Sequence, residues 1–312
     1  MNIIPIAFAF DNNLVEPACV CITSLLENAN KDTYYDIFIL HSNSVELIKL
    51  GFEKIIQKYD NCSITYLEVG DTFSDAFEIR GVTKATYYRL LLPLVINQYD
   101  KIIYSDVDII YRMDLTEVYL QSLSDNYIAA TLDLGLNYLT PDYVNNMNTL
   151  KVGQYIQAGF LIFNLKKIRE DNLVTRFIDL ANNNNFTYQD QDILNICCAG
   201  HIKYLSPKFN VNDCAFLALR SSNGALLDRF SKEECEEAMT NGNIHYSGKK
   251  PWKEYSICMD LWWEYYRKSV GFNIDKYFDF FFNRSFYLDS LSLWERIKLL
   301  LRFFVYGKTK IQ

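Results

Sequence analysis

The chain reads as an α/β protein built on a doubly wound parallel sheet, and three observations predict it. Short β-branched and apolar runs alternate with helical stretches from the first residues onward. The links between them are short and rich in Asn, Asp and Ser, the composition of strand–helix turns. Acid and amide side chains recur where strand runs end, at Asp11 and Asn13, at Asp106 and Asp108, and at Asp133. Ligands of open α/β sheets sit outside the carboxyl ends of the strands, so two such acid-bearing ends can converge.

Taken in order, residues 3–10 form a first buried strand that stops at Asp11-Asn12-Asn13. The spacing predicts a helix over Val15 to Asn28, then a strand over Tyr35 to Leu40. His41-Ser42-Asn43-Ser44 supplies the cap of a helix over Val45 to Tyr59, and Ser63 to Leu67 is a third strand. In Thr83 to Leu92 the apolar positions 87, 88, 91 and 92 share a helical face that Pro93 closes. A helix near Leu115 to Leu123 precedes a strand over Tyr127 to Leu132, and Thr140 to Leu150 reads as helical. Tyr155 to Asn164 carries Ala158-Gly159, small enough for close approach by a ligand or a backbone. Leu165 to Asn182 is an amphipathic helix.

Composition bounds the function. The 312 residues are half apolar and carry a net charge of -7, with a pI near 5.1. That balance excludes a general nucleic-acid binder. The eight cysteines include no CxxC pair, so buried free thiols in a reducing cytosol are expected. The N-terminus lacks a basic leader, and no apolar run approaches membrane-spanning length, which points to the cytoplasm.

The chemistry centres on Tyr104-Ser105-Asp106-Val107-Asp108. Side chains at i and i+2 of an extended segment share a face, so two like charges meet at one spot. A solvated acidic turn or a bound cation would each account for them. Downstream stands His245-Tyr246-Ser247-Gly248-Lys249-Lys250-Pro251-Trp252. A lone histidine is ordinarily a satisfied core or surface residue. Here Gly248 allows backbone approach, Lys250 could meet a phosphate and Trp252 could wall the site. Two carboxylates with one imidazole suit Mn²⁺ or Mg²⁺, the imidazole favouring Mn²⁺. Arg89 reads evenly as a surface cation or a phosphate partner. Gln189-Asp190-Gln191-Asp192 exceeds what a helix cap needs and looks built to hold hydroxyl groups.

Beyond residue 255 the sequence turns aromatic and basic, with Leu261-Trp262-Trp263, Tyr277 to Phe282, and Arg296, Lys298, Arg302, Lys308 and Lys310. A C-terminal helix docked on the core fits this, and so does a helix lying on an anionic membrane. The coexistence of aromatic and basic residues favours the second.

The blocks Phe8-Ala9-Phe10-Asp11-Asn12-Asn13, Tyr87-Tyr88-Arg89-Leu90, Ile103 to Asp108, Ala158 to Leu165, Tyr188 to Asn195 and His245 to Trp252 together resemble glycosyltransferase family 8. The nearest comparison is with bacterial lipooligosaccharide α-galactosyl- and lipopolysaccharide glucosyltransferases. The resemblance implies a GT-A fold, a Rossmann-like nucleotide-diphosphosugar domain, over residues 1–255; residues 256–312 lie outside the matching blocks and read from their own composition as a helical extension. It implies that Asp106, Asp108 and His245 hold Mn²⁺ against the diphosphate of UDP-galactose or UDP-glucose. Ala9, Asp11 and Asn13 would receive the uridine and Gly248 and Lys250 the phosphates, with Val107 a further donor-binding residue. Arg89, Asp106, Asp133, Asp190 and Gln191 would surround the transferred sugar. The acceptor would be a saccharide, glycolipid or glycoprotein, at the inner face of the cell membrane. Leu14 departs from a Tyr common in relatives, and Gln157 from an Asn.

Two rivals have their own signatures. A haloacid-dehalogenase-type phosphotransferase also sets Asp-x-Asp after a strand, but close to the domain's start and followed by Thr or Val where Ile110 stands. A catalytically degenerate sugar-binding or scaffolding protein would be expected to have lost one of Asp106, Asp108, His245, Lys250 or Gln191, and all are intact.

Overall fold

The computed structural model describes residues 1–42, 45–79, 81–147, 149–220 and 224–306. Its strands are β1 Asn2–Ala9, β2 Thr33–His41, β3 Cys62–Glu68, β4 Lys101–Ser105, β5 Ile109–Ile110, β6 Ile128–Leu132, β7 Ile156–Asn164, β8 Ile202–Tyr204 and β9 Ile244–His245. Seven form one sheet in the order β3-β2-β1-β4-β7-β6-β8, and β5 pairs with β9 apart from it. The chain leaves β1 for β2 on one side and returns as β4 on the other, with Ile6 opposite Ile103 and Phe8 opposite Ser105. That reversal of strand order opens a crevice at the ends of β1 and β4.

Side-chain alternation along these strands fills both faces. Phe38 and Leu40 of β2 pack with Tyr87, Leu161 and Ile193 on one side. Ile37 and Ile39 pack with Phe8, Ile22 and Phe160 on the other. Helices α1 Val15–Glu27 and α2 Val45–Lys58 lie between the first strands, as their spacing predicts. Of the cap expected before α2, Asn43 and Ser44 lie outside the described residues.

The sheet is mixed rather than parallel. β7 runs antiparallel to both neighbours, β4 and β6. A strand buried along both faces shows no alternation, so its direction leaves no trace in the sequence. The consequence is functional: the start of β7, not its end, lies beside Asp106.

Other elements also depart from expectation. Residues Lys84–Leu91 wind as a 3₁₀ helix, and Pro93 opens the short α-helical turn Leu92–Val95 instead of closing a helix. A proline is tolerated in a first turn because its missing N–H has no partner there. Helix Leu165–Asn182 is two helices, α3 Leu165–Glu170 and α4 Leu173–Asn183, broken where Asn172 takes φ +51°. Among the described residues of Thr140–Leu150 only Asp142–Asn145 forms an α-helical turn. α5 Gln189–Cys197 starts where expected.

The C-terminal aromatics divide. On α6 Met259–Lys268, Trp262, Trp263 and Tyr266 are buried in one cluster with Val20, Ile110 and Tyr246, so this helix belongs to the packed body. α7 Ile274–Ser290 docks on it through Phe280 and Tyr277, whose rings lie 4.5 and 5.6 Å from that of Trp263. α8 Leu293–Tyr306 follows. Among the described residues no helix is long and apolar enough to cross a membrane. Six of the eight cysteines are buried and all are free thiols, as expected.

Candidate active site

At the crevice between β1 and β4 lies a cleft of about 740 Å³. The end of β1 contributes Ala9, Asp11 and Asn13, the β4 end Asp106, Val107 and Asp108, and the loop after β9 Gly248 and Lys250. Arg89, Asp190, Gln191 and His245 also line it. The Asp11 carboxylate accepts from the Asn13 amide at 2.9 Å, which caps the turn and holds both residues at the strand end.

Asp106, Asp108 and His245 offer ligand atoms that lie within 4.8 Å of one another. The backbone explains the convergence. The Asp106 amide donates to the Gly159 carbonyl at 2.8 Å, extending the β4–β7 ladder by one residue. Ile109 pairs with His245 across β5 and β9, and the Tyr246 amide donates to the Asp108 carbonyl at 2.9 Å. His245 Nε2 lies 3.1 Å from Asp108 Oδ1 and 3.6 Å from Asp106 Oδ2. Asp108 Oδ1 is buried without a hydrogen-bond donor. A buried carboxylate oxygen facing an imidazole nitrogen needs a cation or a proton between them. Two carboxylates and one imidazole therefore fit a divalent ion of the Mn²⁺ or Mg²⁺ kind.

Electrostatics around the triplet are asymmetric. Burial works to raise the Asp108 carboxyl, but Lys250 and His245 outweigh it and hold the group well below the ordinary carboxylate range. Lys250 Nζ sits 2.6 Å from Asp108 Oδ2 and also donates to the Tyr246 carbonyl. Its ammonium thus stands at the cleft on loan to a carboxylate.

Arg89 is neither a surface cation nor a free phosphate partner. The buried guanidinium lies 2.8 Å from Asp106 and 3.0 Å from Asp190, and donates to the carbonyls of Ala158 and Thr86. It also covers the Tyr104 ring at 4.2 Å. Burial disfavours its charge, yet Asp106 and Asp190 hold it still more firmly protonated than usual. On the other side of Asp190 the Thr86 hydroxyl donates at 2.5 Å.

Asp133 stands one layer back from the cleft lining, behind Gln191. Its carboxylate accepts from the Leu136 amide at 2.9 Å and from Gln191 Nε2 at 3.2 Å. Burial raises its pKa. The Ala158 amide donates to Gln191 Oε1 at 3.0 Å, so that side chain is held at both ends. The polar run at the start of α5 is only partly free for a ligand. Asp192 accepts from the Tyr143 and Tyr155 hydroxyls and the Tyr188 amide, and Gln189 donates to the Phe77 carbonyl. Gln189 takes φ +42°, and Gln189, Asp190 and Gln191 line the cleft while Asp192 does not.

Thr86 and Asn210 escaped the sequence reading. Thr86 sits in the Tyr-Tyr-Arg block's own helix, three residues before Arg89, so its spacing was a usable signal. Asn210 follows a 3₁₀ turn, Pro207–Phe209, where asparagine is an ordinary turn residue.

Comparison with known proteins agrees with this geometry. The family model described as "Glycosyl transferase family 8" matches residues 5–256. A Haemophilus influenzae protein whose glycosyltransferase name is provisional is 31% identical over 214 residues, 67% of this chain and 63% of the relative. The chain thus spans just under two thirds of that relative's length. The lipopolysaccharide 1,2-glucosyltransferase of Escherichia coli is 26% identical over 261 residues, covering 80% of this chain and 74% of the relative. The crystal structure of galactosyltransferase LgtC in complex with donor and acceptor sugar analogues superposes with a TM-score of 0.67 at 26% identity, covering 86% of this chain and 96% of that one. With most of its length matched by the family model, the chain belongs to glycosyl transferase family 8.

Proposed function

We propose that the protein is a retaining hexosyltransferase, which moves galactose or glucose from a UDP-sugar to a saccharide, glycolipid or glycoprotein acceptor. The observation that carries this reading is the Asp106–Asp108–His245 cluster in a cleft flanked by the end of β1 and a glycine–lysine loop. Ala9, Asp11, Asn13 and Val107 receive the uridine, and Gly248 and Lys250 the diphosphate. Asp106, Asp108 and His245 hold Mn²⁺, or Mg²⁺ in its place. When bound, the ion supplies Lewis-acid stabilisation of the departing diphosphate.

The chain's own residues do the rest. Lys250 exchanges its carboxylate partner for phosphate oxygen and adds positive charge as the anomeric C–O bond breaks. Gln191, held by Ala158 and Asp133, presents an amide and no nucleophile at the cleft. Asp190 has its carboxylate committed to Arg89 and Thr86. Both observations support attack from the face the diphosphate leaves. In that course the leaving phosphate oxygen accepts the acceptor hydroxyl's proton.

The exposed side of the last two helices supports a peripheral location on an anionic membrane. Phe282, Phe286 and Trp294 are 62%, 60% and 63% exposed, and Arg296 and Lys298 lie on the same helix as Trp294. Lys308 and Lys310 lie outside the described residues. Such a surface would hold the enzyme at the inner face of the cell membrane, close to lipid-linked acceptors.

A screen of UDP-sugars for Mn²⁺-dependent UDP release tests the reading, with the anomer of the product followed by NMR. UDP-galactose or UDP-glucose is turned over with retention. No binding or turnover of any UDP-sugar overturns it.

A further inference from the structure

His245 Nδ1 faces away from the cleft and lies 2.8 Å from Asn210 Oδ1. Asn210 Nδ2 donates in turn to Gln157 Oε1, and Gln157 Oε1 accepts from the Gly159 amide at 2.6 Å. All three side chains are buried.

The direction of this chain of bonds is not free. A backbone N–H can only donate, so the Gln157 atom facing Gly159 is its carbonyl oxygen. That oxygen then requires a donor from Asn210, which fixes the Asn210 amide with its NH₂ toward Gln157. The other Asn210 atom, facing the imidazole, is consequently an acceptor. His245 Nδ1 must carry the proton. The lone pair of the neutral ring therefore lies on Nε2, the nitrogen turned toward Asp106 and Asp108. Gly159 contributes twice, since a Cβ there would sit 2.2 Å from His245 Cε1 and 2.7 Å from Nδ1. Only glycine leaves the ring its place.

We propose that Gln157 and Asn210 are positioning residues of the metal centre. They form a relay by which the Gly159 backbone amide selects the metal-ligating tautomer of His245. This rests on the metal reading above and adds two residues that act through the imidazole and not as ligands, Gln157 lining the cleft as well. A hydrogen-bonded partner behind a ligating histidine fixes the ring and its tautomer, and its loss typically weakens metal binding by about 10- to 100-fold.

Two measurements on the full chain test this separately. With only three histidines, ¹⁵N-histidine-labelled protein without metal gives a long-range ¹H–¹⁵N spectrum in which His245 is assigned by comparison with His245→Gln. Nδ1 is expected to carry a proton in the wild type, in the neutral ring and equally in the imidazolium that faces Asp108 without metal, and a ring protonated at Nε2 alone overturns the relay. Mn²⁺ binding is then followed by electron paramagnetic resonance of the free ion, with UDP present. Asn210→Leu and Gln157→Leu are expected to weaken it about 10- to 100-fold, while Gln157→Glu, whose carboxylate still accepts from both Gly159 and Asn210, stays near wild type. Asn210→Leu binding within about 2-fold of wild type overturns the relay's role even if the tautomer is as stated. An Nδ1–H wild type that binds no Mn²⁺ overturns the metal reading and leaves the tautomer assignment standing.

Discussion

Arg89 Nε lies 3.0 Å from the Asp190 carboxylate, with both side chains buried, and the same guanidinium reaches Asp106 at 2.8 Å. One cation thus ties the start of α5 to the end of β4. Removing it strands two carboxylates beside each other. Arg89→Ala is expected to lose about 3–5 kcal/mol of stability, the usual cost of breaking a buried pair from one side. Arg89→Lys restores the charge but not the fork that serves Asp106, Asp190 and two carbonyls at once, so it recovers only part of that loss. Urea unfolding of the three proteins checks this, and an Arg89→Lys protein as stable and active as wild type would show the bridge to be dispensable.

The pH dependence of stability follows from Asp190. Burial pushes its pKa up to about 6, although Arg89 and the Thr86 hydroxyl favour the ionised form. In the unfolded chain it returns to about 3.9. A carboxyl raised on folding contributes stability that is full below the unfolded value and is lost as pH rises through the folded one. Asp190→Asn has no such proton to lose. The difference in unfolding free energy, variant minus wild type, should therefore move in the variant's favour by roughly 2 kcal/mol between pH 4 and pH 7, whatever the fixed cost of the substitution. Denaturant titrations along that range measure it. A difference independent of pH sinks the assignment.

Metal dependence separates the two aspartates from the rest of the cleft. Chelation is expected to abolish transfer and added Mn²⁺ to restore it. Asp108→Asn and His245→Ala should each lower kcat/KM by about 10²–10³, the range for removing one stabiliser of charge in a transition state. Neither change touches Ala9, Asp11 or Asn13 at the β1 end, so UDP alone is expected still to bind, though more weakly. Equal activity with and without chelator would count against the triplet's role.

Much of this site was legible before any fold was known, for a physical reason. Asp106, Asp108 and His245 are residue types that an apolar strand end does not otherwise tolerate, so their positions carried information. What stayed hidden was partnership across distance. Arg89 meets Asp106 only 17 residues away, but the spacing offered no means of telling a buried brace from a surface cation. Asp192 belongs to a run that reads as a holder of hydroxyl groups, and the hydroxyls it holds are those of Tyr143 and Tyr155. Asn210 carried no signal, because asparagine beside a turn is ordinary. The direction of β7 was equally silent, since a strand buried on both faces reads the same either way.

The last helices allow a test that separates docking on the body from docking on a membrane. Tyr277 and Phe280 face Trp263, while Phe282, Phe286 and Trp294 stay exposed. Each exposed aromatic leaves well over half its surface in water, a state that an amphipathic helix relieves in a lipid interface. Replacing Phe282, Phe286 and Trp294 together by serine spares the Trp263 contact, so the fold and turnover of a water-soluble acceptor should remain as in wild type. Flotation with vesicles containing anionic lipid should fall at least about 10-fold, because each interfacial aromatic contributes on the order of 1 kcal/mol or more of burial. High salt should weaken the wild type's flotation in part, through Arg296 and Lys298, while the aromatic contribution persists. Unchanged flotation of the triple variant would assign these rings to a protein partner or to solvent instead.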